Sequence, residues 1–517
     1  MSRAAISMVT ARRIAGVWPD AISLPDAMKR AGVKSKCRRT QQRYRRIAEK
    51  MLGVELPSHN PQLTTAVLGE DCPSYLDHKA LKSAKAFVIT SAVNNTTLND
   101  KFFDTLELFA KEKAAQLVVI PQKYRHMTFT DKTEYFWPKR VHEYAIHKDV
   151  IINKNLTLSS LNIVATAVNP LSGLEANSGA RSAVYGATQV ALQCVATPGK
   201  SFPKLMVTTG ACTSATYTKT KSGGKAKFHH SFSALFIVRV GQIFHPIHLH
   251  WDGKGFYYLD EYWTPNGKKT GKSAKALVQG DSHVEYAEPK VLKTRKRFLG
   301  RVSVSALVWH DLHDNAYQSH HNTVFDAVKL ARAGKFLVKD ELQKSADMLN
   351  TFGKGYENLI VGSNHNDHLD QFLNRFDPKK DPHNAVFAWE LSAKTIKSGK
   401  PALETWMEGK LTVSHKFLSR NEPYLIVDND VSQHGDKGIN GSRGSAKAFA
   451  KLATKTVVGH SHTPCIEKGC YQVGVSALGM EYAQGLSSWA ICDCLIYANG
   501  KRALIFQRRG KTIADYV

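Results

Sequence analysis

Five short polar stretches in the second half of this 517-residue chain each lie at or just after an apolar run, and this recurrence limits the fold more than any other feature. They are Gly-Asp-Ser-His at Asp281 and His283, His-Asp-Leu-His-Asp from His310 to Asp314, and Gly-Ser-Asn-His at Asn364 and His365. Gln-His-Gly at His434 and Gly-His-Ser-His at His460 and His462 complete the series. The accompanying runs are KALVQ, VSALVW, NLIV, YLIV and KTVV. Runs of this length and composition read as buried strands, which puts carboxylate, imidazole and carboxamide groups on loops at strand ends. Loops leaving one edge of a sheet can meet at one point although their residues are far apart in sequence. The expected class is therefore α/β, with a polar site at a sheet edge.

The residue types say what such a site could do. Phosphodiester hydrolysis at neutral pH needs a hydroxide, a clamp on the non-bridging oxygens and a proton for the leaving oxygen. Two divalent ions about 3.5–4 Å apart supply the first two. Asp, His and an Asn carbonyl suit manganese, iron or zinc, and the absence of Cys from the set argues against a structural zinc.

In order and spacing the five blocks resemble the calcineurin-like metallophosphoesterase superfamily, whose blocks are D-x-H, G-D-x-x-D, G-N-H-D/E, a lone His, and G-H-x-H. The likeness covers roughly the last 240 residues. It implies a four-layer α/β/β/α sandwich holding two divalent metal ions, manganese first, with magnesium, iron or zinc as alternatives. Carried over by position, Asp281, His283 and His462 hold one metal, Asn364, His434 and His460 hold the other, and Asp311 bridges them. His365 matches the histidine that serves the leaving group, and Asp314 the carboxylate that orients it. The chain departs from the pattern at three places: His310 replaces the usual Gly before Asp311, Ser363 is inserted before Asn364, and Asn366 stands where Asp or Glu follows the histidine, with Asp367 next.

Charge narrows the substrate. A net charge of +27 is usually kept for an anionic partner, with nucleic acid first. From Lys29 to Lys50 the chain carries ten Lys or Arg and one acid, Glu49. Leu24-Pro25-Asp26 is expected to open a helix that Gly32 ends, and Ser35 to cap a second one reaching about Leu52. Residues 1–52 thus read as a helix-turn-helix-like unit whose Arg38, Arg39 and Arg43 could meet DNA phosphates. A solvated basic helix is the alternative.

Residues 53–80 read as a linker. Residues 81–272 read as an accessory α+β domain with a β-α-β start, further strands (LNIVATAV among them) and a lysine-rich hairpin tip around Gly223-Gly224. His248 and His250 alternate on a strand there, as a metal pair or on a solvent face. Residues 273–517 read as the phosphoesterase domain that the resemblance implies, including a long helical stretch from Asn322 to Phe352. No internal repeat is visible in the sequence.

Ser/Thr phosphatases of the superfamily carry Arg directly after the second Asp of block two. Here Asn315 follows Asp314, which disfavours that branch, and the basic stretches with the net charge of +27 favour the SbcD-like DNA nucleases. Arg295, Lys296 and Arg297, between blocks one and two, are candidates for a phosphate track, and Tyr317 and His320 for further DNA contacts. The segment VGVSALGMEYAQGLSSWAICD resembles the closing strands of early phage nucleases that degrade host DNA, as in T5-like phages.

The expectation is a manganese-dependent DNase. A nucleotidase or cyclic-nucleotide phosphodiesterase of the same fold is the enzymatic alternative, and a DNA-binding regulator with an idle metal domain the other. No run of about 18 apolar residues suggests a membrane span. Eight cysteines without a Cys-x-x-Cys pair fit a reducing cytoplasm, the host bacterium's if the protein is phage-encoded. The sequence leaves a homo-oligomer open.

Overall fold

The computed structural model describes residues 7–17, 24–34, 38–53, 56, 76, 78–124, 137–271, 274–319, 321–480 and 485–516. It is an α/β protein. At its start, helices Met8–Val17, Leu24–Arg30 and Arg38–Leu52 pack on a small core that includes Ala11, Ile14, Met28 and Ala48. Gly32, with φ +76°, ends the second helix as expected. The first helix has no counterpart in the two-helix expectation, since it buries only Ala11 and Ile14 and has no acid in its first turn. The expected cap Ser35 and most of the expected linker lie outside the described residues.

The first half of the remaining chain forms β1 (Ala86–Val93), β2 (Gln116–Gln122), β3 (Val150–Asn153), β4 (Leu156–Ser159) and β5 (Ser182–Tyr185). It continues with β6 (Ala191–Val195), β7 (Lys204–Thr208), β8 (Ser233–Val240) and β9 (Ile243–His250). A small meander follows: β10 (Phe256–Tyr258), β11 (Glu261–Thr264) and β12 (Gly267–Lys269). The second half forms β13 (Ala274–Val278), β14 (Val304–Trp309), β15 (Glu357–Val361), β16 (His415–Leu418), β17 (Leu425–Ile426) and β18 (Asn429–Asp430). It closes with β19 (Lys455–Val458), β20 (Cys465–Glu467), β21 (Cys470–Gln472), β22 (Cys492–Ile496) and β23 (Arg502–Phe506).

These strands build a four-stranded sheet, β2-β1-β8-β9, a six-stranded sheet, β16-β15-β14-β13-β22-β23, and a ten-stranded sheet, β17-β18-β19-β21-β20-β6-β7-β5-β4-β3. The order is a repeat. In both smaller sheets a parallel pair (β1/β2, β13/β14) is followed by an antiparallel hairpin (β8/β9, β22/β23). The ten-stranded sheet consists of two five-stranded units of matching pairing sense, joined where β6 runs antiparallel to β20. Strands from either side of residues 272/273 therefore share one sheet.

Packing explains which residues are apolar. The two smaller sheets lay one face on the ten-stranded sheet, so that Phe87, Val278, Val308, Val361 and Phe506 meet Leu158, Val207, Val457 and Tyr471 in a single core. Their other faces are covered by helices, including Asp100–Glu112, Pro289–Leu299 and Val338–Phe352, through Phe102, Phe109, Phe298, Leu342 and Leu349. The far side of the ten-stranded sheet carries a thinner cover: Ile163 and Leu171 over β5 and β7, and Phe449 from the four-residue helix Ala446–Phe449 against Val458 and Cys470.

Three expectations are corrected. LNIVATAV is irregular chain with one turn at residues 165–166 rather than a strand, since Ile163 is spent on that outer cover and Ile163 N and Lys123 N bond to the side chains of Gln122 and Asn162. The lysine-rich segment around Gly223 is the helix Lys221–His229, whose cap Thr220 accepts a bond from Gly223 N. The stretch from Asn322 to Phe352 is two helices, Val324–Arg332 and Val338–Phe352, separated at Gly334 with φ +71°. Among the described residues no helix is long and apolar enough to cross a membrane.

Candidate metal centre

The parallel strands β13, β14 and β15 end at the same edge of the six-stranded sheet, and the loops that leave them carry Asp281, Asp311 and Asn364. Asp281 is fixed by its backbone, which donates to Gly474 O (2.9 Å) and accepts from Ser476 N (2.8 Å) beyond β21. His283 N donates to Asp311 O at 2.8 Å, coupling the first two loops. His460 and His462 follow β19, and Gly459 N donates to His434 O at 2.7 Å. Backbone strain concentrates here. His283, Asp311, Asn315, His460 and His462 all have φ between 42° and 73°, a region that non-glycine residues seldom occupy unless their surroundings impose it.

The side chains converge. Nε2 of His283 lies 3.0 Å from His462 Nε2 and 3.6 Å from Asp311 Oδ2. His462 Nε2 is 3.2 Å from Asp281 Oδ2, and His434 Nε2 is 3.2 Å from Asp311 Oδ2. Ligand bonds of about 2.1 Å meeting at roughly 90–110° leave donor atoms about 3.0–3.4 Å apart, so this spacing is that of groups able to share a cation. Three sets can hold a metal ion: Asp281, His283, Asp311 and His462; Asp281, His310 and His434; and His283, Asp314 and His365. His460 is placed by its ring, 5.2 Å from that of His434. Asn364 offers a buried Oδ1 with no hydrogen-bond partner.

The electrostatics call for positive charge. Asp281 and Asp311 are fully buried, and none of their four carboxylate oxygens meets a donor in hydrogen-bond geometry. Uncompensated buried carboxylates cost several kcal/mol each, and a cation removes that cost. Burial alone would raise both acids, yet the neighbouring histidines, His462 for Asp281 and His434 for Asp311, hold them below the usual carboxylate range. Asp314 accepts from His283 Nδ1 at 2.6 Å and lies 3.1 Å from His365 Nδ1. The first of these bonds leaves the Nε2 lone pair of His283 facing the cluster, the arrangement metal-binding histidines use. For His365, burial favours the neutral ring, but Asp311 and Asp314 outweigh it and raise the pKa to about 9.

Support comes from residues that sequence spacing did not single out as site groups. His310, noted only as a departure, is fully buried with Nδ1 3.3 Å from His434 Nδ1, and burial takes it down to about 4. Its position next to Asp311 was the available signal. Gly459 lets the chain pass close to Asp281, since a Cβ there would sit 2.1 Å from Asp281 Oδ1. Glu341 accepts from Ala316 N (2.7 Å) and Tyr317 N (3.0 Å) and pins the turn after Asp314.

Several expected substrate contacts are placed elsewhere. Arg295 points inward, with Nε and Nη2 on Asp493 at 3.0 and 2.6 Å, and Asp493 in turn accepts from Gly280 N. It steadies the Asp281 loop from beneath and presents no charge to the surface. Arg297 is bidentate to Asp515, whereas Lys296 is exposed. Tyr317 is buried, its hydroxyl donating to Glu285 at 3.1 Å, and so offers no free face for a base. Arg43 is exposed on helix Arg38–Leu52, which Arg38 and Arg39 open, while His320 lies outside the described residues. His248 and His250 are buried between the sheets, bonded to Thr208 O (2.8 Å) and the Tyr471 hydroxyl (3.1 Å), and form neither a metal pair nor a solvent face.

The first half repeats this framework without its ligands. Ser91 makes the two backbone bonds of Asp281, to Gly210 O and from Cys212 N. Counting from there, Val93 stands for His283, Ile120 for Asp311, and Gly186, Ala187 and Gln189 for Gly459, His460 and His462.

Fold and site together define an α/β protein with a buried Asp/His cluster able to hold metal ions. No family model and no solved structure matches the chain. It is 30% identical over 486 residues to Protein A1 of Escherichia phage T5, with 85% of each chain covered. The chain belongs to the family of that phage protein.

Proposed function

We propose that the protein is a metallophosphoesterase-like nuclease that hydrolyses DNA phosphodiester bonds with two divalent cations. The observation that carries this reading is the convergence of Asp281, His283, Asp311, His434 and His462 around carboxylate oxygens that lack donors. Asp281, His283 and His462 would hold one cation, Asn364, His434 and His460 the other, with Asp311 between them. The donor set, carboxylate and imidazole with one carboxamide and no thiolate, suits manganese, iron or zinc, and the resemblance to the metallophosphoesterases puts manganese first. Cations bound there would polarise the phosphoryl group and lower the pKa of an attacking water.

The chain's own groups do the rest. Asp314 fixes the ring of His283 and draws a proton onto His365. His365, partly exposed beside the cluster, then carries the proton that a departing sugar oxygen needs. DNA is favoured as substrate by the net charge of +27 and by the exposed Arg43 and Arg46 on helix Arg38–Leu52.

Supercoiled plasmid, a linear duplex and a cyclic nucleotide, each incubated with and without manganese, decide the matter. Manganese-dependent cutting of either DNA is expected. Hydrolysis of the cyclic nucleotide with both DNAs intact would replace this reading with a small-molecule phosphodiesterase.

A further inference from the structure

Away from the cluster, the β3–β4 turn, the β8–β9 turn, residues 199–204 and the segment after β23 enclose a cavity of about 430 Å³. Its wall gathers Lys154, Lys200, Lys204, Arg508 and Arg509 and contains no carboxylate side chain. It shares no residue with the metal cluster.

Arg508 is the unusual member. It is 6% exposed, donates through Nη1 to Phe244 O at 2.9 Å, and lies over the rings of Phe244 (4.6 Å), Phe202 (5.6 Å) and Phe506 (5.8 Å). Among the described residues no carboxylate pairs with it. Burial lowers its pKa only to about 10, so it remains charged at neutral pH. A buried cation without a counter-charge is costly, and a planar guanidinium with unused donors is the group best shaped to receive a phosphate. The rim adds charge on flexible stems. Lys154 and Arg509 are exposed and, among the described residues, in no ion pair, and Lys200 donates to Asn155 Oδ1 at 2.8 Å. Lys204 does not contribute, because its ammonium is turned onto Glu175 O and Gly179 O.

We propose that this cavity is a second, metal-independent site that binds a phosphate group, with Arg508 at its base and Lys154, Lys200 and Arg509 at its mouth. The phosphate could belong to a free anion or to a nucleic-acid strand, which are chemically alike at this contact. The site does not depend on the nuclease reading, since it requires no metal and no turnover.

The full chain in excess EDTA is titrated with inorganic phosphate by calorimetry and with a fluorescent 20-nucleotide strand by anisotropy. Wild type is compared with Arg508→Gln and with the double variant Lys154→Gln/Lys200→Gln, whose exposed positions leave the fold intact. Phosphate binding by wild type that weakens about tenfold or more in the variants is the expected result. Strand binding that weakens in step assigns the phosphate to nucleic acid, and unchanged strand binding assigns it to a free anion. No phosphate binding by wild type, or equal binding by wild type and the double variant, overturns the proposal. Should Arg508→Gln fail to fold by circular dichroism, the double variant decides.

Discussion

Replacing Gly459 by alanine tests the metal centre through a single methyl group. The added Cβ would lie 2.1 Å from Asp281 Oδ1 and 3.1 Å from His310 Cγ, whereas ordinary contact begins at 3.4 Å. The carboxylate must therefore retreat by about 1.3 Å, or His310 and the β19 loop must give way together. Metal–ligand distances tolerate deviations of only about 0.2 Å, and a misplacement of about 1 Å at a reacting centre costs about 100-fold. Gly459→Ala should weaken manganese binding by at least about 100-fold at the site that uses Asp281, and lower turnover at least as much. Calorimetric titration of metal-free protein with manganese reads the first, and hydrolysis of bis-p-nitrophenyl phosphate the second. Gly224→Ala is the control, because its Cβ would meet nothing within 4 Å and its helical position gains about 0.5–1 kcal/mol from the change. Two manganese ions bound by Gly459→Ala with wild-type affinity would refute the placement of Asp281 as a ligand.

Other outcomes follow from the same geometry. Asp311→Ala should lose both metal binding and cleavage, while His365→Ala should keep its metals and lose most turnover; metal content measured beside activity separates the two roles. Arg295→Ala leaves Asp493 buried without its partner and should cost about 3–5 kcal/mol in urea unfolding, yet leave the salt dependence of DNA binding unchanged. His245 is buried against Tyr516, and burial, with Arg508 nearby, lowers its pKa to about 4. The unfolded ring takes its proton near 6.5, so stability is fully present above about pH 6.5 and falls as pH drops toward 4. His245→Phe should flatten that decline by about 1–3 kcal/mol, read from urea midpoints at pH 7 and pH 4.5.

What the sequence disclosed about the site came from residue type combined with strand-end position. Asp281 and His460 are conspicuous because a carboxylate directly after ALVQG, or an imidazole directly after VVG, has no use in a core unless something binds it. Arg295 misled for the complementary reason: its neighbours Lys293 and Lys296 are exposed, and helical spacing alone does not reveal that Asp493, nearly two hundred residues on, waits beneath it. LNIVATAV misled because β-branched residues serve an outer cover as well as a strand. The repeat stayed hidden because its two halves share hydrogen-bond register and apolar faces, which many sequences satisfy, whereas the groups that would have marked it are Ser91, Val93 and Ile120 on one side and Asp281, His283 and Asp311 on the other.

The antiparallel seam between β6 and β20 sets the two repeats against each other as the subunits of an isologous pair are set. In such a pair every substitution is made twice, so a change that suits one subunit is forced on its twin. Covalent continuity lifts that constraint: one lobe can keep its chemistry while the other drifts toward pure scaffolding. It also makes the partnership independent of protein concentration, so that a few molecules in a large volume are as completely paired as many.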